Sequence, residues 1–433
     1  MDYLYSDALS LIFQFSSIRQ VCLYFYPNKH WYNTSQKSSS WKHSELDVNT
    51  DWELSCLNYT KNSKEILWFA NLYLNRKYSN PLNSCIPSSW SKLQTLSVGD
   101  CISAQKLLNL LKTCQCIHSL YIDIDNNFEF DIFTKYRQQN ILPPLKNLKS
   151  CKLSSRSRLV ENFFFNLWKN YISPLEKLQL TYISFTLDNF ICISCYKNLK
   201  QLAIKCSHEI NQYHLISRSS FNFATQNPLN LLCNLQQLTH LNLELYYITL
   251  LTHSCLEKES GWSFLVLLDK LISLRIIVRN SRNIHNEVCL DNEAVLPFII
   301  HLPKLKNLKY LECQTGEQSA VNSMLILNQM PNLIWLSIET RVSLTLLSKV
   351  LGTLKFIKVL MYINRGAFDN EGYNEFSAVR YPSLEVLVIE GTVHKLFKMN
   401  GLFPPGSLVQ PDESQVYIEG ELYSDLFNKL FPV

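Results

Sequence analysis

Leu333-Ile334-Trp335-Leu336-Ser337-Ile338 carries the pattern that decides how this chain folds. Apolar residues take its first, fourth and sixth positions, so it reads Leu-x-x-Leu-x-Leu, with another apolar residue or cysteine sometimes replacing leucine. Eleven copies begin at Leu93, Ile117, Leu148, Leu175, Leu199, Leu238, Leu271, Leu308, Leu333, Ile357 and Leu384. Successive copies start 24 to 39 residues apart, and six of the ten intervals are no longer than 27 residues. This spacing indicates a repeat protein in which some repeats carry insertions.

The phrase also predicts how each repeat folds. Alternate residues of a strand point to opposite faces, so the two apolar residues of Leu-x-Leu enter a core and the residue between them faces solvent. One unit cannot bury its apolar side alone, so neighbouring units stack and their strands form a parallel sheet. The intervals hold apolar runs at helical spacing, at Leu107 to Leu111, Phe163 to Leu167 and Leu344 to Leu351.

We therefore predict an α/β fold, a leucine-rich-repeat solenoid with parallel strands on its concave side and helices on its convex side. The alternative is a leucine-rich helical array. Many residues that flank the phrase are β-branched or aromatic, which favours strands.

Composition sets broad limits on the function. The chain has 433 residues, 47% of them hydrophobic, and a net charge of +5. It holds no run of Lys and Arg of the kind that marks a nucleic-acid tail, so we expect no nucleic-acid partner. The N-terminus lacks a signal-peptide pattern, and no apolar stretch is long enough to cross a bilayer, so we expect no membrane partner. Fourteen scattered cysteines, among them Cys151 and Cys313 at apolar repeat positions, fit reduced thiols in the cytoplasm, the nucleus or both.

Two short constellations could carry chemistry. Cys192-x-x-Cys195, with Cys206 and His208 nearby, has part of a zinc pattern, although a structural pair of thiols fits it better. Asp123 and Asp125 share one face of a strand, where a solvated strand end fits better than an acid and base pair. Phosphate-binding loops, H-E-x-x-H and G-x-S-x-G are absent from the sequence. We expect no catalytic residue, no metal, no cofactor and no enzyme activity.

Residues 1–48 do not follow the repeat. Leu4, Ala8, Leu11, Ile12 and Phe15 make one apolar stripe at helical spacing, and two tryptophans follow ten residues apart. Such a segment could simply cap the first repeat.

The same residues resemble the F-box, the adaptor-binding module of SCF ubiquitin ligases. Leu4 matches the opening leucine of that motif, Ile12-Phe13 match its Ile-Phe, and Trp31 and Trp41 match its two tryptophans. Tyr5 stands where the motif has proline, and Pro27-Asn28 stand where it has Val-Cys. The resemblance implies that these five matching residues bind a Skp-type adaptor and, through it, a cullin.

The rest of the chain divides around the repeats. We assign residues 49–90 to an irregular first repeat and a link, residues 91–395 to the solenoid and residues 396–433 to a C-terminal cap. Leu46 and Val48 look like a strand that enters the first repeat. In the cap, Val416 to Ile418 could form a last edge strand and Leu422 to Leu430 a closing helix.

The outward residues of the strands are the candidate substrate-binding residues. They are Tyr121, Gln179, His240, Asn242, Arg275, Tyr310, Glu312, Trp335 and Glu339. They carry both charge signs, which suits a protein partner, and Tyr and Trp commonly anchor protein interfaces. Trp335 is the leading anchor by alternation, although it could instead cover a neighbouring side chain.

The sequence thus predicts the substrate-recognition subunit of an SCF-type ubiquitin ligase, which holds a protein substrate on its concave face. The ligase role follows from the F-box resemblance, since the repeats alone imply only protein binding. The alternatives are a non-catalytic scaffold or assembly subunit, and a regulator that wraps a globular partner.

Overall fold

The computed structural model describes part of the 433-residue chain. The described residues are 45–48, 71–74, 88–99, 104–124, 145–155, 174–183, 187–206, 228–247, 259–280, 296–314, 326–327, 329–340, 356–364, 386–389, 392–396, 408–409, 417–418 and 421–422. They fall in two compact units, Met1–Ile183 and Ser184–Val433.

The first unit contains a parallel ladder of six strands. They are β1 (Glu45–Val48), β2 (Asn71–Leu74), β3 (Thr95–Val98), β4 (Ser119–Ile124), β5 (Ser150–Ser155) and β6 (Lys177–Ile183). Each strand pairs in parallel with the next one in the chain. A 3-10 helix, Ser88–Lys92, and helix α1, Ala104–Thr113, lie between strands.

The second unit repeats this arrangement with seven parallel strands. They are β7 (Gln201–Cys206), β8 (His240–Tyr247), β9 (Ser273–Asn280), β10 (Tyr310–Gln314), β11 (Trp335–Thr340), β12 (Val359–Asn364) and β13 (Val386–Ile389). These too pair in chain order. The ladder then ends with two antiparallel strands, β14 (Thr392–Leu396) and β15 (Leu408–Val409). A separate hairpin joins β16 (Tyr417–Ile418) and β17 (Glu421–Leu422).

The phrase forms the core in both units. In register, Leu96 pairs with Leu120, and Leu311 pairs with Leu336. Every first-, fourth- and sixth-position side chain whose burial is described is at most 4% exposed. Leucine therefore stacks on leucine along each ladder, and the predicted leucine-rich-repeat solenoid fold is confirmed in each unit.

A turn precedes the phrase in seven of the described copies. There the amide of the first-position residue donates to the carbonyl three residues earlier, as Leu238 does to Leu235 at 2.9 Å and Leu308 to Leu305 at 3.1 Å. The carbonyl that follows the first position accepts two amides of the next repeat, as Thr239 O does from Ile272 and Ser273. Where they are described, from β4 to β6 and from β8 to β12, these bonds satisfy backbone groups at the start of the strand.

The connections between strands carry less α-helix than predicted. Leu107, Leu108, Leu110 and Leu111 do lie in helix α1, and all four are buried. Helices α2 (Leu187–Ser194) and α3 (Leu296–Ile299) are shorter. The other described connections are 3-10 helices at Pro228–Asn234, Glu259–Leu267 and Leu302–Lys304. A 3-10 helix rises further per residue than an α-helix and covers the core with fewer residues. The runs at 163–167 and 344–351 lie outside the described residues.

The ends of the ladders bear on three predictions. Strand β1 contains Leu46 and Val48, as predicted. Tyr417–Ile418 is a strand, but it pairs with Glu421–Leu422 in a separate hairpin and not at the edge of the ladder, so Leu422 is not part of a closing helix. Val416 and residues 423–430 lie outside the described residues. Leu4, Ile12, Phe13, Trp31 and Trp41 lie outside the described residues. Among the helices described, none is long and apolar enough to cross a membrane.

Candidate interaction face

The third, fifth and seventh positions of each phrase lie on the side of the ladder opposite to the leucine core. We call this side the outward face of each unit. Its side chains form rows because the strands are in register. Eight of the nine candidate residues have described side chains, and they differ sharply in exposure.

The outward face of the first unit has a partly exposed fifth-position row, which we call the open row. It contains Ser97, Tyr121, Lys152 and Gln179 on four consecutive strands, and all four are half-buried. At about 4.8 Å between strands, this row is about 14 Å long. The register therefore brings Tyr121 and Gln179 within two strands of each other, on either side of a lysine.

The outward face of the second unit holds a network of polar side chains. Arg275 is at its centre. Its Nε donates to Glu312 Oε2 at 2.8 Å, and its Nη1 donates to Asn242 Oδ1 at 3.4 Å. Asn242 and Glu312 are fifth-position neighbours of Arg275 on the adjacent strands. Three of the candidate residues thus bind one another.

Glu244 extends this network to a second row. Its Oε2 lies 3.7 Å from Arg275 Nη1 and 3.2 Å from Lys205 Nζ. The side chain of Glu244 is 4% exposed and that of Arg275 is 12% exposed, so both charges are largely withdrawn from water. The two acidic and two basic groups cancel, as buried ion pairs require. We call Lys205, Asn242, Glu244, Arg275 and Glu312 the charge network.

The aromatic candidates are buried beside this network. Tyr310 and Trp335 occupy the third position of adjacent strands, and their rings meet edge to face with centroids 6.5 Å apart. Tyr310 is 8% exposed and Trp335 is fully buried. The prediction that Trp335 is a solvent-facing anchor is therefore wrong. It lies on the outward face, but it packs against a neighbouring side chain, which was the alternative interpretation.

The remaining candidates are His240 and Glu339. His240 is half-buried, and its Nδ1 lies 2.9 Å from Thr239 Oγ1, which itself donates to Lys200 O at 3.0 Å. Glu339 pairs in register with Gln314 and Ile363. Asn242, Tyr310, Glu312 and Trp335 are buried, so a partner could reach them only if this face rearranged.

The described cysteines of the Cys-x-x-Cys motif and of the inward positions differ in burial. Cys192 is buried, whereas Cys195 is exposed and its Sγ donates to Ile191 O at 3.3 Å. Burial raises the pKa of Cys313 to about 12, with a smaller contribution from the neighbouring Glu312 carboxylate. Burial also raises the pKa of Cys151. A thiol held protonated is a poor nucleophile and a poor metal ligand. Within the described residues no three potential metal ligands come together, and Asp125 and His208 are not among those residues.

Sequence reasoning missed an asparagine that ties neighbouring repeats together. Asn307 Nδ2 donates to Asp269 O at 2.7 Å, and Asn332 Nδ2 donates to Lys306 O at 2.7 Å. Both asparagines directly precede a first-position leucine. The recurrence of Asn-Leu at that point in several copies, including Asn147-Leu148 and Asn198-Leu199, was the available signal.

Comparisons with known proteins give distant structural likenesses. No family model and no curated protein matches the chain. An internalin of Listeria monocytogenes is 16% identical, with 74% of this chain and 76% of that chain covered and a TM-score of 0.36. TLR13 in complex with ssRNA13 is 15% identical, with 84% and 51% covered and a TM-score of 0.38. The leucine-rich repeat domain of APL1B is 9% identical, with 78% and 72% covered and a TM-score of 0.25. The fold assignment rests on this chain's own repeats and ladders.

Proposed function

We propose that this chain is a non-catalytic recognition subunit that binds a protein partner on the outward face of its first unit. The observation that carries the proposal is the half-buried row of Tyr121, Lys152 and Gln179 on adjacent strands. An aromatic ring beside a cation and an amide offers apolar area and hydrogen-bond groups together, as interface anchors do. Rigid strands hold the three side chains, so binding would cost little ordering of the backbone.

The outward face of the second unit is less suited to this role. Its charge network already satisfies Arg275, Glu244 and Glu312, and its aromatic rings are covered. A partner would have to break those contacts, and the charges left without their ion-pair partners would lower its affinity. The half-buried His240 is the candidate residue there that a partner could touch without such a rearrangement.

The finer proposal is that the chain serves an SCF-type ubiquitin ligase in the cytoplasm, the nucleus or both. Its support is the F-box resemblance of Leu4, Ile12-Phe13, Trp31 and Trp41, which lie N-terminal to strand β1 in the sequence. The N-terminal segment would bind a Skp-type adaptor and, through it, a cullin. The first unit would bind the substrate. Catalysis would then be proximity alone, because a tethered substrate meets the ubiquitin-charged enzyme at high effective concentration.

Two matched variants of the full-length chain test both parts. We expect Leu4→Asp with Phe13→Asp to abolish co-purification with the source organism's Skp-type adaptor and to leave partner capture intact. We expect Tyr121→Ala with Lys152→Ala to do the reverse. Each variant is the folding control of the other.

The outcomes separate the competing functions. Failure of the intact chain to bind the purified adaptor would remove the ligase role. A stoichiometric partner that is recovered without the adaptor, and whose abundance does not change when this chain is depleted, would establish the scaffold function in its place.

A further inference from the structure

One edge of the second unit is strongly basic, although its lysines are scattered in the sequence. The edge consists of the turns that lead into strands β7 to β12, from four residues before the first position to the residue after it. Its lysines are Lys197, Lys200, Lys270, Lys304, Lys306, Lys309 and Lys358. Among the described residues of these turns, Asp269 is the one acidic residue, so the turns carry a net charge of +6. We call this the basic edge.

The ladder sets the spacing of these charges. Six strands about 4.8 Å apart place the basic edge along a line of about 24 Å. Six of the seven lysines are exposed and Lys358 is half-buried. Lys270 Nζ donates to the neutral amide oxygen Gln237 Oε1 at 2.8 Å. The turns of the first unit hold only Lys92, Lys146 and Lys149 against Glu176 among the described residues.

Two large apolar side chains project from the same edge. Leu267 is 58% exposed and Phe356 is 41% exposed. Leu267 occupies the same turn position as Lys304 in the next repeat, and Phe356 lies two residues before Lys358. Two partly exposed apolar side chains therefore lie among the lysines of the basic edge.

We propose that the basic edge docks on an anionic membrane surface, with Leu267 and Phe356 entering the headgroup region. Lysines near an anionic leaflet each contribute to binding, and four to eight of them make a stable site when apolar residues add to it. Two features favour a lipid surface over a protein or a nucleic acid as the anionic partner. The basic residues are lysines, whereas protein interfaces are depleted in lysine and phosphate recognition in nucleic acids favours arginine. The exposed Leu267 and Phe356 have no role in phosphate contacts.

The inference goes beyond the proposed function and does not depend on it. It also departs from the sequence-based expectation of no membrane partner, which considered spanning segments and contiguous charge runs. Folding brings together lysines that lie up to 161 residues apart, from Lys197 to Lys358.

Co-flotation of the full-length chain with vesicles tests the proposal. We expect binding to vesicles of phosphatidylcholine with about 30% phosphatidylserine, and little binding to phosphatidylcholine alone. Lys304→Glu with Lys306→Glu and Lys309→Glu should weaken binding at least about tenfold. The control variant, Lys92→Glu with Lys146→Glu and Lys149→Glu, makes the same change in net charge on the first unit and should bind nearly as the parent does.

A second variant separates insertion from charge. Leu267→Ser with Phe356→Ser should lower vesicle binding about threefold to tenfold and leave its salt dependence unchanged. Equal loss of binding in the two charge-reversal variants would overturn the proposal, since net charge alone would then explain it. So would failure of the parent chain to bind vesicles, including the case in which it binds a single-stranded oligonucleotide or polyglutamate instead.

Discussion

The two units are built from the same repeat phrase, and within each unit the strands pair at the same phrase positions. Their outward faces nevertheless differ. In the first unit Tyr121, Lys152 and Gln179 stay half-exposed on adjacent strands. In the second unit Asn242, Arg275 and Glu312, on strands in the same order and at the same phrase position, bind one another. The inward leucines are buried to the same extent in both units.

This difference shows which positions the fold constrains. The first, fourth and sixth positions must be apolar because they make the core. The third, fifth and seventh positions are free of that demand, so they can form either a closed polar network or an open surface. An open outward row is therefore a functional candidate, whereas a closed one contributes first to stability.

The largest expected effect contrasts the two aromatic candidates. Trp335→Ala should lower the free energy of unfolding by about 3–5 kcal/mol, because it empties a fully buried site. Tyr121→Ala, on the half-exposed face, should cost about 1 kcal/mol or less. Urea unfolding of the two variants measures the difference, and equal losses would show that the two outward faces are packed alike.

Removal of the central cation of the charge network should have the next largest effect. Arg275→Ala leaves Glu244 and Glu312 as buried carboxylates without their shared partner, at a cost of about 3 kcal/mol. The matched change in the open row, Lys152→Ala, should cost about 1 kcal/mol or less, because Lys152 is half-buried and ion pairs near the surface contribute little. Adding Glu244→Gln and Glu312→Gln to Arg275→Ala should recover part of the stability, and no recovery would mean that Arg275 acts through packing alone.

The asparagine contact between repeats predicts a smaller change. Asn307→Asp keeps the side-chain shape but removes the amide donor to Asp269 O, which should cost about 1 kcal/mol. Asn147→Asp makes the same substitution at the equivalent position of the first unit, and its loss of stability serves for comparison. Thermal unfolding of both variants gives the comparison. An Asn307→Asp variant as stable as the parent would remove the asparagine from the account of repeat stacking.

The smallest expected effect is a dependence of the free energy of unfolding on pH, and it comes from the buried thiol of Cys313. The Cys313 pKa is about 12 in the folded chain against an ordinary value of 9.0, so the unfolded chain loses this proton first as the pH rises. The stability contribution is complete below pH 9 and is lost between pH 9 and about 12. Raising the pH from 8 to 9.5 should cost about 0.8 kcal/mol through this thiol.

Paired variants isolate that contribution. Cys313→Ala should reduce the loss of unfolding free energy between pH 8 and pH 9.5 by that amount, whereas Val98→Ala, which truncates a buried inward side chain that carries no proton, should leave the loss as it is. Identical pH dependence in the two variants would place Cys313 outside the core.

The core could be predicted from the sequence, whereas the exposure of the outward side chains could not. Leucines at fixed positions predicted the strands, their parallel order and the burial of Cys151 and Cys313, because a period of two leaves one apolar side to hide. Alternation also assigned Trp335 to the outward side. It could not give exposure, because exposure depends on side chains in neighbouring repeats, such as Tyr310, that lie 25 residues away.

The connections and the polar contacts were harder to predict. Apolar runs at helical spacing predicted helix α1, but they did not predict the 3-10 helices at Pro228–Asn234 and Glu259–Leu267. The charge network joins residues from four repeats, Lys205 to Glu312, whose order along the ladder is known only once the register is known. The basic edge was missed for the same reason.

Site-specific photocross-linking in cells shows whether a protein partner binds the outward face of the first unit. A benzophenone amino acid would replace Tyr121 in one variant and Tyr310 in the other. We expect a cross-linked protein from position 121, lost when Lys152 is changed to Ala, and none from position 310. A partner cross-linked from position 310 and not from position 121 would contradict this expectation.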